Sequence, residues 1–240
     1  MARRKYSYQW PRPAVTVDVA LFTVAGALQH LRLRALLIQR GEEPWRGGWA
    51  LPGGFVRENE DLGAAALREL QEETGVTQVF LEQVAAVGTP GRDPRGHVVT
   101  VLYMGLVAGD RHQLTSQGDA AAVRWFDVPG PTHLPPLALD HAELLQKALA
   151  HLRRRLDESP TILFELLPER FTLSELQALA EAVLGQDLDR RNFRRKLKER
   201  DDLVPAEGTR RQGRHRPAQL YRFVRPQADR HPSRKPSLPF

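Results

Sequence analysis

The chain has 240 residues, 41% hydrophobic and 27% charged, so it can bury a sizeable core as one large domain or two modest ones. With no cysteine, it excludes disulfides, thiolate zinc sites, iron–sulfur clusters and a cysteine nucleophile together. The net charge of +6 is uneven: residues 1–185 carry 19 Lys+Arg against 22 Asp+Glu (net −3) and residues 186–240 carry 16 against 7 (net +9), so the C-terminal part suits a polyanionic partner or is a solvated basic tail.

Met1 to Pro13 is basic and aromatic, with no apolar leader segment behind it. The most apolar stretch, 14–28, is interrupted by Thr16 and Asp18 and is too short to span a bilayer, so a cytoplasmic chain without a membrane partner is expected. Ala14–Val24, with Val15, Val17 and Val19, predicts a strand, and Leu31–Gln39 a second. Trp49-Ala50-Leu51 runs into the sharp turn Pro52-Gly53-Gly54. Asp61 predicts the cap of a helix that reaches Glu73 and ends at Gly75. Val79–Val87 and Val98–Val107 read as strands around a hairpin loop, Gly88–His97, and Ala122–Asp127 as another short strand. The proline-rich connector Pro129–Pro136 precedes a helix over Asp140–Leu156, where the first domain should end.

The second part begins with a capping box, Thr172-Leu173-Ser174-Glu175, followed by an apolar helix face through Leu176, Leu179, Ala180 and Val183 and a stop at Gly185. A further helix over Asp189–Glu199 places Phe193 and Leu197 inward and Arg190, Arg191, Arg194, Arg195 and Lys198 outward. Leu203-Val204 and Leu220–Val224 can pair around the basic loop Gly208–Arg216, which makes a winged helix-turn-helix. Residues 226–240, rich in Pro and Arg, are expected to be disordered.

The helix after Asp61 carries the chemistry. Gly63, Ala66, Leu67 and Leu70 predict its buried stripe, and Glu69, Glu72 and Glu73, at i, i+3 and i+4, cluster beside it. Only Arg68 is placed to pair with them, through Glu72 at i+4. Such clustered hard oxygens suit Mg²⁺ or Mn²⁺, and the Gly53-Gly54 turn lets a backbone carbonyl approach the metal. Three glutamates alone fit a solvated helix face better; their spacing alters that balance.

Gly54, five residues, Glu60, seven residues, Arg68-Glu69-Leu70, one residue, Glu72-Glu73, one residue and Gly75-Val76 resembles the Nudix box without a departure, nine specified positions in 23 residues. The resemblance extends over residues 12–155 and implies a Nudix α/β/α sandwich with a mixed sheet, hydrolysing a nucleoside diphosphate linked to another moiety. It implies that Glu69, Glu72 and Glu73 bind the Mg²⁺ or Mn²⁺ and serve catalysis, with Arg68 orienting them, Glu60 in support and the Gly53 carbonyl as a further ligand.

Gly91–Gly96 is similar to a loop of ADP-ribose-handling Nudix members and of the Nudix-related transcriptional regulators of NAD metabolism. Arg92 and Arg95 there are candidates to clamp a pyrophosphate or terminal ribose, against a plain surface turn in which Asp93 pairs with its neighbours. Trp45 is a candidate base-stacking residue; Trp49, next to a strand, reads equally as core. Segments 167–176, 191–194 and 216–223 are similar to the winged helix of those regulators, which implies a DNA-binding domain over 156–225. Arg190, Arg191, Asn192, Arg194, Arg195, Lys198 and Arg214 are its candidate contacts to a double-stranded operator bound by a homodimer. Some of these regulators have degraded boxes, whereas this box is whole; Asp119 is a candidate general base outside it. The expectation is a DNA-binding regulator whose Nudix domain binds and hydrolyses an ADP-ribose-like ligand. The alternative is a Mg²⁺-dependent pyrophosphohydrolase whose C-terminal domain only dimerises or caps the site.

Overall fold

Strand β1 (Ala14–Ala25) is buried from Thr16 onward, as befits a strand covered on both faces. The computed structural model, which describes residues 8–109, 114, 120–128, 134–198, 200–210 and 217–224, places it at the centre of a mixed seven-stranded sheet. The sheet's path is β3 (Trp49–Ala50), β2 (Arg32–Arg40), β1, β6 (Val98–Leu106) and β5 (Phe80–Val87), with β4 (Gly53–Phe55) paired to β1 and β7 (Ala120–Val128) paired to β2. Among the described strand pairs only β1 and β6 run parallel, from Ala14 opposite Val98 to Phe22 opposite Leu106.

Alternation along β1 decides which helix covers which face. Val17, Val19 and Leu21 pack with Ala65, Ala66 and Leu70 of α1 (Leu62–Thr74). Ala20, Phe22 and Val24 pack with Leu144, Leu145, Ala148 and Leu152 of α2 (His141–Glu158). The result is a three-layer sandwich. Asp61 caps α1 by accepting from the amides of Gly63 and Ala64, and Gly75 ends it in the left-handed conformation, φ 77°. The buried face differs from the expected stripe: it centres on Ala66, Leu70 and Glu73, so Leu67, 100° round the helix from Ala66, stays 41% exposed while Ala65 is buried.

Helix α2 runs to Glu158, beyond the expected end at Leu156, and continues into a 3-10 segment, Pro160–Leu166, that no sequence signal marked. Helix α3 (Leu173–Leu184) has both hydrogen bonds of its capping box, Glu175 N–H to Thr172 Oγ1 at 3.2 Å and Thr172 N–H to Glu175 Oε2 at 2.7 Å. Helix α4 (Arg190–Lys198) buries Phe193 and Leu197. Strands β8 (Leu203–Arg210) and β9 (Ala218–Phe223) form an antiparallel hairpin whose first strand reaches past Gly208, which the expectation had placed in the loop.

The two parts share one apolar core. It runs from Phe22 and Leu33 through Leu152 and Leu156 to Leu176, Leu179, Val183 and Phe193. Among the described residues no helix is long and apolar enough to cross a membrane.

Candidate functional site

Between α1 and the open end of β1 lies a cavity of about 530 Å³. One wall is the acidic side of α1 with the Gly53–Phe55 strand; the floor is made by Asp18, Arg92 and His141.

The wall is organised by Arg68. Its Nε and Nη2 donate to the two oxygens of Glu60 at 2.6 and 2.8 Å, and its Nη1 donates to Glu69 at 2.6 Å and Glu72 at 3.2 Å. Nη2 also reaches the Phe55 carbonyl at 3.2 Å, so one guanidinium ties the loop before α1, the helix and β4 together. The Arg68 side chain, helped by the Arg57 amide, lowers the Glu60 carboxyl to about 2. The partner anticipated for Arg68 was Glu72; Glu60, named only as support, makes the tighter, two-oxygen pair.

Gly54 matters by proximity rather than by conformation, because a Cβ there would sit 2.5 Å from the Glu69 carboxylate and displace it. Gly53 meets the box through its amide, which donates to Glu73 Oε2 at 2.9 Å. The three glutamates are hard oxygen donors on one pocket, and that chemistry fits a divalent cation. As they stand, Glu69 is held by Arg68, Glu72 by Arg68 and Arg57, and buried Glu73 by Gly53. Among the described residues no three acidic or histidine groups are gathered closely enough to hold a metal ion, so coordination requires side-chain rotation, most readily of Glu72.

Apart from Arg92, the floor was invisible to sequence reasoning. Asp18, noted only as an interruption in an apolar run, is buried and accepts from Thr100 Oγ1 at 2.6 Å. His141, the first residue of α2, accepts the Leu51 amide on Nδ1 at 2.9 Å and lies 3.8 Å from Asp18 through Nε2. Burial pushes its pKa down, so the ring is neutral. A charged residue inside a central strand was the one available signal.

The arginine loop differs from the free clamp expected of it. Arg92 is 4% exposed and donates bidentately to Asp140, at 2.9 and 2.8 Å. Arg95 pairs with buried Asp93, at 2.7 Å from Nη2, and this pair lowers the Asp93 pKa. Both charges are thus already compensated, as in the surface-turn alternative, although both side chains line the cavity. Trp45 is 55% exposed and is not among the residues lining the cavity; its loop, 41–48, turns the ring elsewhere. The aromatic ring on the cavity is Phe55, 44% exposed, with the Arg95 guanidinium 4.9 Å from its centroid. Trp49 is core, edge-on to Phe126 at 4.8 Å.

On α4, Arg190, Arg191 and Arg195 are exposed, and Asn192 Oδ1 accepts from Arg195 Nη2 at 2.7 Å. Asp189 caps the helix by accepting the Asn192 amide at 2.7 Å. Arg194 departs from the outward placement: it is half-buried, donates to Ser174 Oγ of α3 at 3.2 Å, and burial followed by the nearby Arg190 lowers its pKa. The Lys198 side chain, Arg214, Asp119 and the 226–240 tail lie outside the described residues.

A mixed sheet sandwiched by two helices, with a glutamate helix over a cavity, and then two helices with a β-hairpin, defines a Nudix domain joined to a winged helix. Residues 13–148 match the NUDIX domain and residues 163–223 match the NrtR DNA-binding winged helix domain. The chain is 40% identical over 217 residues to the ADPR responsive transcriptional repressor NtrR of Acinetobacter baylyi, covering 90% of this chain and 84% of that one. It is 37% identical over 134 residues to the ADP-ribose pyrophosphatase of Methanocaldococcus jannaschii, covering 56% of this chain and 72% of that one. Shewanella oneidensis NrtR bound to a 27mer DNA superposes with a TM-score of 0.71 at 35% identity over 88% of this chain and 93% of that one. The NUDIX domain of the same protein with ADP ribose gives 0.50 at 35% identity over 60% and 90%. The chain therefore belongs to the Nudix family, in the branch that carries the NrtR winged helix.

Proposed function

We propose that the chain is a DNA-binding transcriptional repressor that ADP-ribose, or a closely related nucleoside diphosphate sugar, releases from its operator. The carrying observation is that the cavity and the basic helix α4 belong to parts that share one core, in a chain matched along 90% of its length by a repressor described as ADPR responsive. A homodimer would present two copies of α4 to a palindromic operator, with Arg190, Arg191 and Arg195 on phosphates and base edges and Asn192 holding Arg195 in position. Arg214 would add a contact from the hairpin loop.

In the cavity, Glu69, Glu72 and Glu73 would hold Mg²⁺ or Mn²⁺, with Gly53 beside them. When bound, such a cation neutralises the diphosphate and acidifies a coordinated water. Arg68 orients Glu69 and Glu72, and Phe55 with Arg95 offers a flat, cationic surface to the ligand's rings. The unbroken box supports turnover as well as binding, and the resemblance to an ADP-ribose pyrophosphatase favours a second reading in which hydrolysis is the principal activity.

One experiment separates the two. An operator duplex selected by the full-length chain from a random-sequence pool is titrated by fluorescence anisotropy with and without ADP-ribose and Mg²⁺, while AMP release is followed. Loss of operator affinity on adding ADP-ribose supports the repressor. No sequence preference at physiological salt, with ADP-ribose consumed, leaves the hydrolase.

A further inference from the structure

We infer that Asp140 is the positioning residue that couples the cavity to the DNA-binding part: its carboxylate, held by Arg92, passes to the Ala142 amide of α2 when a diphosphate in the cavity takes Arg92. The inference rests on the ligand-controlled reading above and adds the device behind it.

Asp140 occupies the N-cap of α2. An aspartate there ordinarily accepts from the amides two and three residues on. This one makes no side-chain cap hydrogen bond. Its two oxygens are instead taken by Arg92, Nε at 2.9 Å and Nη2 at 2.8 Å. The His141 and Glu143 amides already donate to the Ala138 and Asp140 carbonyls, at 3.1 and 3.0 Å, so the second partner open to the carboxylate is the Ala142 amide.

Arg92 is the cation at the cavity floor, 3.7 Å from Asp18. A diphosphate oxygen pair fits the guanidinium fork as a carboxylate does and carries more charge, so an occupied cavity competes directly for it. Asp140 loses its partner at that moment, and turning its ψ from 17° toward the extended value of a capping residue brings its carboxylate to the Ala142 amide.

The backbone before Asp140 is poised for such a change. Leu139 lines the cavity with φ 54°, a left-handed conformation that branched side chains rarely adopt. Conformations of this kind persist only where the surroundings impose them. Here the imposing bonds are the Ala138 amide on the Trp49 carbonyl, at 2.8 Å, and the Arg92–Asp140 pair. Releasing the second lets the segment relax.

The far end of α2 carries the change away from the cavity. Arg153 Nε donates to the Val183 carbonyl in the last turn of α3, at 3.0 Å. Leu152 and Leu156 share a core with Leu179 and Val183, and α4 rests on that core through Phe193. One 18-residue helix thus touches the ligand floor at its start and the DNA-binding part at its end.

The test uses the full-length chain, ADP-ribose with Mg²⁺ and the selected operator duplex. Asp140→Asn keeps a capping side chain but lacks the charge Arg92 holds. It should bind ADP-ribose about fivefold tighter by calorimetry and lose most of the ligand's effect on operator affinity, a coupling ordinarily about 5–150-fold. Asp140→Ala, which cannot cap, should bind ADP-ribose more weakly than Asp140→Asn. In the wild-type chain ADP-ribose should slow hydrogen exchange of the Ala142 amide, and in Asp140→Asn that amide should already be slow without ligand. Equal losses in both variants, with Ala142 exchange indifferent to ligand, would mean that Asp140 is only structural and would overturn the inference. So would wild-type ligand affinity and wild-type release in Asp140→Asn. A wild-type chain that binds ADP-ribose yet never releases DNA overturns the repressor reading instead, while exchange at Ala142 still decides the role of Asp140.

Discussion

The wall and the floor of the cavity are built on opposite plans. The wall is local: Glu60, Arg68, Glu69, Glu72 and Glu73 lie within one loop and one helix, and the carboxylates of Glu60, Glu69 and Glu72 gather around the single Arg68 guanidinium. The floor is assembled from afar. Asp18 comes from β1, Thr100 from β6, Arg92 from the β5–β6 loop, and Asp140 and His141 from the start of α2. Glu72 is the wall carboxylate that solvent reaches freely, at 47% exposed, and it can exchange partners easily. The floor is nearly dry, where each partner lost is felt throughout the fold.

The largest expected effect breaks the wall's chemistry without touching its shape. Glu73→Gln keeps the volume that meets the Gly53 amide but removes a carboxylate; AMP release from ADP-ribose should fall on the order of 10²–10³-fold, with an unchanged melting curve. Turnover at the wild-type rate would remove Glu73 from the metal-binding set.

A substitution in the floor should do the reverse. Arg92→Ala leaves Asp140 and Asp18 without their buried cation and should cost about 3 kcal/mol of stability, read as a lower urea midpoint with an unchanged slope. A loss within about 0.5 kcal/mol, the usual scale of a surface change, would show that the pair is incidental.

The same contrast recurs on α4. Exposed Arg195 should matter to DNA, and Arg195→Ala should weaken operator binding by about 1–3 kcal/mol with little change in stability. Half-buried Arg194 donates to Ser174, so Arg194→Ala should also loosen α4 from α3, visible in thermal unfolding. If about six phosphates are neutralised per dimer, the log–log salt dependence of binding should have a slope near about −5.

The smallest effect is in pH. His141 has a folded-state pKa below its usual 6.5, so the stability it supports is whole above that value and declines as the unfolded chain gains a proton at lower pH. Glu60 is lowered from 4.5 to about 2, so its contribution is whole above 4.5 and is lost as pH falls toward 2. Acidification should therefore weaken the floor before the wall. His141→Gln should flatten the stability curve as pH falls below about 6.5, and Glu60→Gln only below about 4.5. Identical curves for the two variants would contradict the ordering.

The same division explains what the sequence made legible. Asp61 and Gly75 at the ends of α1 and the Thr172–Glu175 box are patterns within one turn or one helix, and each has the predicted geometry, whereas Glu69, Glu72 and Glu73 face one cavity without being drawn together. Asp18, Asp140 and His141 carried no such pattern, because β1–β6 pairing and the packing of α2 bring them together across the chain. Arg92 and Arg194 were recognised as basic but not as paired, since the Asp140 and Ser174 that hold them are far away in sequence. Leu67 and Trp45 looked apolar enough to be used and were left in solvent, one by the angle of α1 and the other by its loop.

The central claim, that the cavity and the DNA-binding part form one thermodynamic unit, is tested most directly by reciprocity. ADP-ribose affinity is measured by calorimetry on the full-length chain, alone and saturated with operator duplex. Operator should weaken ADP-ribose binding by the same factor by which ADP-ribose weakens operator binding, about 5-fold or more. Equal ADP-ribose affinity with and without bound operator would contradict the account.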